Sequence, residues 1–186
     1  TELPLGLIGV AIGTVILPSL SARHAEQNMD KFRGMMDWAA KVIVLVGLPA
    51  SIALFMLSTP IIQALFERGQ FTFEDTQMTA LALQCMSGGV IAFMLIKVFA
   101  PGFYAQQDTR TPVRVGLMAV AANAILNVIF IGFFKLIHWE AEHMALALAS
   151  TGSAMVNAGL LYFYLHQRNI FRFGAHWKKI FMQFMF

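Results

Sequence analysis

The chain alternates between long apolar runs and short polar interruptions. Windows free of Lys, Arg, Asp and Glu cover Leu3–Ala22, Val42–Phe66, Thr76–Ile96, Val115–Phe134 and Met144–Gln167. Each is near or above the ~20 residues with which a helix crosses ~30 Å of hydrocarbon. None has a solvated face, so the pattern predicts five transmembrane helices, at 1–22, 38–59, 76–100, 112–134 and 144–166, and the start of a further one at 179–186. The connections are then 23–37, 60–75, 101–111, 135–143 and 167–178. The fold class expected is an all-α, polytopic transmembrane helix bundle.

Composition agrees with this pattern. The chain is 58% hydrophobic, contains 17 Phe and is only 12% charged, where soluble domains carry roughly 25% charged residues. There is too little polar surface to clothe a soluble globule. The charges are also sided: eleven of the 13 Lys and Arg fall in 21–41, 97–114 and 166–179, leaving Arg68 and Lys135 for the alternate connections. The positive-inside bias makes the first set cytoplasmic and places 60–75 and 135–143 outside. The net charge of +3 is thus explained by topology, and no nucleic-acid partner is expected. A single cysteine, Cys85, excludes an intramolecular disulfide and any multi-cysteine metal cluster.

Several span ends have recognisable chemistry. Asp108 can cap the helix that follows it, and Pro112 fits a first turn because its missing N–H costs nothing there. Trp38 beside Lys41, Trp177 beside Lys178, and His138-Trp139 suit the headgroup region. In the segment 21–38, Phe32, Met35 and Met36, with Ala39 just beyond, follow helical spacing, which predicts an amphipathic helix on the cytoplasmic surface. The outer connection around Glu67-Arg68-Gly69, with Phe66, Phe71 and Phe73, predicts a short helix or bend in the outer interface. Gly6, Gly9, Gly13, Gly88, Gly89 and Gly152 let helix backbones approach where lipid offers no hydrophobic drive.

No catalytic constellation is present: the chain lacks HExxH, GxSxG, a Walker loop and GxGxxG. Its five histidines fall at span edges, and no metal site is assigned. Glu140, Glu142 and His143, the clustered His and Glu that a lipid-modifying enzyme would need, read as a solvated outer loop. Polar groups at membrane depth are the functional candidates. Glu2 is either an interfacial cap or a cavity acid. Lys97 either snorkels to the inner surface or serves as a cavity cation. Asn123 and Asn127, at i and i+4, either hydrogen-bond between helices or supply oxygens to a small cation together with Thr151 or Ser150.

Three ordered stretches carry a resemblance. VFAPGFYAQQDTRTPV (Val98–Val113) resembles a short cytoplasmic loop of the MurJ (MviN) family of lipid II flippases. ELPLGLIGVAIGTVILPSLS (Glu2–Ser21) is similar to that family's eighth transmembrane segment, and LFERGQFTFEDT (Leu65–Thr76) to its outer loop before the tenth. The resemblance implies an internal window, from the eighth span to the start of the thirteenth, of a fourteen-helix protein of the multidrug/oligosaccharidyl-lipid/polysaccharide exporter superfamily, with a MATE-like bundle. It implies two six-helix lobes alternating access to a central cavity, with two further helices grooved for the lipid tail.

The implied location is the bacterial inner membrane and the implied partners are lipid II, membrane lipids and the remaining helices of the parent. The implied activity is lipid II transport, not enzymatic chemistry. No cofactor is implied beyond coupling to Na+ or the membrane potential. Glu2 would be a partner of a cavity arginine preceding Thr1, and Lys97 a second cavity residue. Some relatives carry aspartate where Asn127 stands, so a tight cation site loses a charge here. The competing reading is a drug/cation antiporter or a polysaccharide-lipid exporter of the same superfamily; the antiporter would need an intramembrane carboxylate.

Overall fold

The computed structural model describes residues 11–67, 71–136 and 142–171, together with Gly6 and Gly9. Seven α-helices make up the described residues: α1 (Ala11–Ala25), α2 (Met29–Met56), α3 (Ser58–Phe66), α4 (Phe73–Ser87), α5 (Val90–Tyr104), α6 (Arg110–Leu136) and α7 (Glu142–Gln167). Among them α2, α6 and α7 are each long and apolar enough to cross a membrane. The pair α4 and α5 passes the same test together, bent by 42°.

α5 is the hub. It packs against α1, α2 and α7, and α7 in turn carries α4 and α6. Phe32, Met36, Met94, Phe99, Phe103, Leu161 and Leu165 are buried to within 1% at this junction. Helix association in lipid rests on such packing, because moving an apolar side chain from lipid to protein gains no hydrophobic free energy. α6 leans mainly on α7 and leaves Leu117, Val120, Ile125 and Val128 exposed.

Two elements depart from the sequence expectation, and a third, the short helix expected in the outer connection, is present. The segment 23–37 is not a separate surface helix: α1 runs on to Ala25, and α2 continues unbroken from Met29 to Met56. Its amphipathic face is real but packs inward, with Phe32, Met36 and Ala39 fully buried and Met36 seated over Gly102 of α5. The connection 60–75 contains a helix, α3, before the capping box in which Thr72 and Asp75 exchange hydrogen bonds at the start of α4. The span expected at 76–100 is two helices rather than one.

The polar stretch between α5 and α6 proves to be a turn and a clamp. α5 ends in a paired-bond cap: Gln107 N–H donates to Tyr104 O at 2.9 Å and Asp108 N–H to Phe103 O at 3.1 Å, with Gln107 left-handed at φ 61°. Gln27 (φ 54°) and Asn169 (φ 55°) close α1 and α7 the same way. Asp108 then accepts from Thr111 N–H at 3.0 Å and from the Thr111 hydroxyl at 2.6 Å, capping α6. Arg168, just past α7, reaches Asp108 at 2.7 Å with its guanidinium 5.3 Å above the Phe103 ring. On the other side Arg33 Nε donates to Asn169 O at 2.8 Å, so the same ends of α2, α5, α6 and α7 are tied together.

The hydrogen bond from the Thr111 hydroxyl, assisted by the Thr111 amide and the Arg168 guanidinium, outweighs partial burial and holds the Asp108 carboxyl at about 2, below its ordinary 3.8. A lowered folded value means the carboxylate's stabilisation is present above about pH 4 and is lost as pH falls through about 2. Thermal unfolding of the full-length protein in detergent should show wild type losing its advantage over Asp108→Asn within that window; an advantage independent of pH would contradict the clamp. Gln107→Gly should raise stability by about 0.5–1 kcal/mol in the same assay, because a non-glycine residue is strained at that φ. A lowered midpoint would place the strain elsewhere.

Candidate functional site

Lys97 lies on α5, two turns before the helix ends at Tyr104, and is exposed. Its backbone is held by close packing with α1: a Cβ on Gly13 would stand 3.2 Å from Lys97 O, so any larger residue there would have to press the helices slightly apart. Its side chain borders an open groove of about 480 Å³ between α5, α6 and α7. Asn123 from α6 and Ser153 and Asn157 from α7 provide the groove's other polar groups, and Phe93, Ile96, Ala119 and Val120 contribute apolar wall. A cation, two amides and a hydroxyl therefore converge on one concave surface whose remainder is apolar.

The amides are ordered by a relay. Asn127 Nδ2 donates to Asn123 Oδ1 at 2.9 Å, and Asn123 Nδ2 donates to Ser153 Oγ at 3.2 Å. The Ser153 hydroxyl donates in turn to Ser150 O at 2.9 Å. Asn127 Oδ1 is buried with no hydrogen-bond partner among the described residues. Interhelical bonding between α6 and α7 is thus what the asparagine pair does here, with one acceptor left open.

The structure joins some of the sequence candidates and separates others. Lys97 and Asn123 share the groove, and Asn127 joins through Asn123. Thr151 does not join them. Its hydroxyl points the other way, donating to Cys85 O of α4 at 2.9 Å, and Ser150 turns back to Leu146 O at 2.9 Å. Helical periodicity explains this: Ser153 and Asn157 are i and i+4 on the α7 face toward α6, while Thr151 lies about 160° around the helix from Ser153. The sequence reading missed Ser153 and Asn157, which the spacing SxxxN could have flagged as one polar face. Glu2 lies outside the described residues, as do His138 and Trp139; among the described residues no group of three His, Cys, Asp or Glu could hold a metal ion.

Comparison with known proteins fits this architecture. The family model described as lipid II flippase MurJ matches residues 1–186. A probable lipid II flippase MurJ from Vibrio cholerae is 43% identical over 170 residues, covering 91% of this chain and 31% of that protein. The lipid II flippase MurJ of Burkholderia cenocepacia is 34% identical over 182 residues, covering 98% of this chain and 34% of its own. A solved structure of a lipid II flippase MurJ in an inward closed conformation superposes with a TM-score of 0.76 at 26% identity, covering 92% of this chain and 34% of that one. The chain spans about a third of the length of these relatives. The helices and the comparisons together make it part of a multi-pass membrane protein. The chain belongs to the lipid II flippase MurJ family.

Proposed function

We propose that the full-length protein is a transporter that moves lipid II, the undecaprenyl-linked disaccharide-pentapeptide, from the cytoplasmic to the periplasmic leaflet of the bacterial inner membrane by alternating access. The observation that carries this reading is the family match along the whole of residues 1–186. The physical problem is the headgroup: a diphosphate with sugars and a peptide cannot cross hydrocarbon without losing its hydration, whereas the polyprenyl tail can remain in lipid. A concave surface with one ammonium and several amide and hydroxyl groups substitutes for that hydration. Lys97 is the cation for the diphosphate in this segment. Asn123, Asn157 and Ser153 offer the hydrogen-bonding capacity that sugar hydroxyls and peptide amides require. Glu2 is assigned as the partner of a cavity arginine supplied by the parent. The eleven cations in 21–41, 97–114 and 166–179 orient those segments toward the cytoplasm, giving the groove its direction.

Sodium coupling would need more oxygen ligands than these residues offer. Asn127 Oδ1 is an open acceptor, yet Asn123 Oδ1 is already bonded and Thr151 is turned away. Hard cations take several oxygens, commonly with a carboxylate among them. These residues do not make a tight site by themselves. Replacing sodium by choline should shift the melting midpoint of wild type and of Asn123→Leu/Asn127→Leu equally; a sodium-dependent rise abolished only in the double variant would establish the cation site.

The transport reading is tested in cells depleted of the full-length protein, with an enzyme that cleaves only periplasmically exposed lipid II. Cleavage should fall while total lipid II rises, and Lys97→Ala and Glu2→Ala variants expressed at normal level should restore it poorly. Unchanged cleavage in a strain with no second flippase would favour a drug/cation antiporter or polysaccharide-lipid exporter instead.

A further inference from the structure

A helix that crosses hydrocarbon in one piece satisfies its own carbonyls, and the α4–α5 span is not in one piece. α4 stops at Ser87, α5 starts at Val90, and the two are bent by 42°. At the join Gly89 N–H donates to Met86 O at 3.0 Å, so the α-helical acceptor Cys85 O loses its usual donor. Cys85 O takes the Thr151 hydroxyl of α7 at 2.9 Å instead. Ser87 O takes the Ser51 hydroxyl of α2 at 2.5 Å, and Gln84 O takes the hydroxyl of Ser87 itself at 2.7 Å. The carbonyls of Cys85, Ser87 and Gln84 at the break are thus met by hydroxyls from α7, α2 and α4 itself. Ser87 and Thr151 are 1% and 7% exposed, which limits competition from water at their hydroxyls, while Ser51 is half-buried.

The glycines at the break are not there for left-handed backbone, since Gly88 and Gly89 have φ of −61° and −88°. Gly89 is there for closeness. A Cβ on it would stand 3.1 Å from Thr151 Oγ1 and 3.1 Å from the Phe93 ring. The break, the missing side chain and the Thr151 hydroxyl therefore form one device.

We propose that Ser51 and Thr151 are positioning residues for transport: by holding the carbonyls at the α4–α5 break they fix the direction of α5 and so place Lys97 against Asn123, Ser153 and Asn157. The inference rests on the reading of that groove as part of the substrate path. Lys97 lies eight residues beyond Gly89, a lever of ~12 Å, so a 5° change at the break moves it by about 1 Å. Displacements of that size are enough to spoil a bound geometry. Thr151 also sits on the helix that carries Ser153 and Asn157, so one bond sets the cation and the amides in a common frame.

The test uses the full-length protein with spin labels at the exposed positions Met78 of α4 and Tyr104 of α5, in a background without other cysteines. Wild type should give one narrow interspin distance. Thr151→Val, which keeps the shape and removes the donor, should broaden it, Ser51→Ala should do likewise, and Thr151→Ser should restore the narrow distance. Transport, read as periplasmic cleavage of lipid II, should fall roughly fivefold in Thr151→Val, the factor expected for one buried hydrogen bond. Adding Lys97→Ala to Thr151→Val should then cost no more than Lys97→Ala alone. A narrow distance in Thr151→Val, or a broad one with undiminished transport, overturns the proposal. If Lys97→Ala itself transports normally, the reading of the groove is what fails, and the interspin distances still decide whether the hydroxyls hold the bend.

Discussion

Inside hydrocarbon a backbone carbonyl has no water to turn to, and a segment that interrupts its own helix must borrow donors from its neighbours. That constraint organises this part of the molecule. The bend between α4 and α5 leaves carbonyls at Cys85 and Ser87, and the hydroxyls of Thr151 and Ser51 meet them from α7 and α2. α2, α5 and α7 also supply most of the buried core around Phe99, Met94 and Leu161. Close packing sets where α5 lies, as Gly13 against Lys97 O and Met36 over Gly102 show, and the hydrogen bonds to the α4 carbonyls add a directional constraint at the break.

At the opposite end of α5 the chain solves a different problem with different chemistry. There the helices emerge toward water and charge can be used, so the ends are closed by Asp108, Thr111, Arg168 and Arg33 rather than by buried hydroxyls. Because Arg168 is substantially exposed, its ion pair with Asp108 is screened and contributes modestly to stability. Its value lies in fixing where α6 starts relative to α7. Between these two ends, the broken span above and the clamp below, α5 is held in one position, and Lys97 sits on its middle. The proposed transport would use such a unit, one that keeps the polar groups of the groove in a fixed mutual geometry.

Much of this was legible in the residues. Charge-free windows separated by cationic segments predicted the membrane-spanning character, and the motifs around Val98–Val113 and Leu65–Thr76 pointed to the family that the comparisons then showed. The capping role of Asp108 followed from its position before Thr111 and Pro112. Other features were hidden for physical reasons. An apolar window of Thr76–Ile96 looks the same whether the helix is straight or broken, because hydropathy does not register where Gly88-Gly89 lets the axis turn. The spacing of Phe32, Met35 and Met36 announced one apolar face but not what covers it, and protein covers it instead of lipid. Thr151 lay within reach of the asparagines in sequence, while helical phase turned it toward Cys85. Ser153 and Asn157 escaped notice because small polar residues in a span read as packing until a neighbouring helix is seen against them.

The central claim is that the groove bounded by Lys97, Asn123, Ser153 and Asn157 faces the headgroup of the transported lipid. The most direct measurement is site-specific photocrosslinking in membranes: a photoreactive amino acid placed in the full-length protein at Lys97, Asn123 or Asn157, and at the exposed apolar positions Val128 and Phe163 as references. The account predicts adducts with lipid II from the groove positions and none from the references. Adducts of equal yield at both sets, or at the references alone, would contradict it.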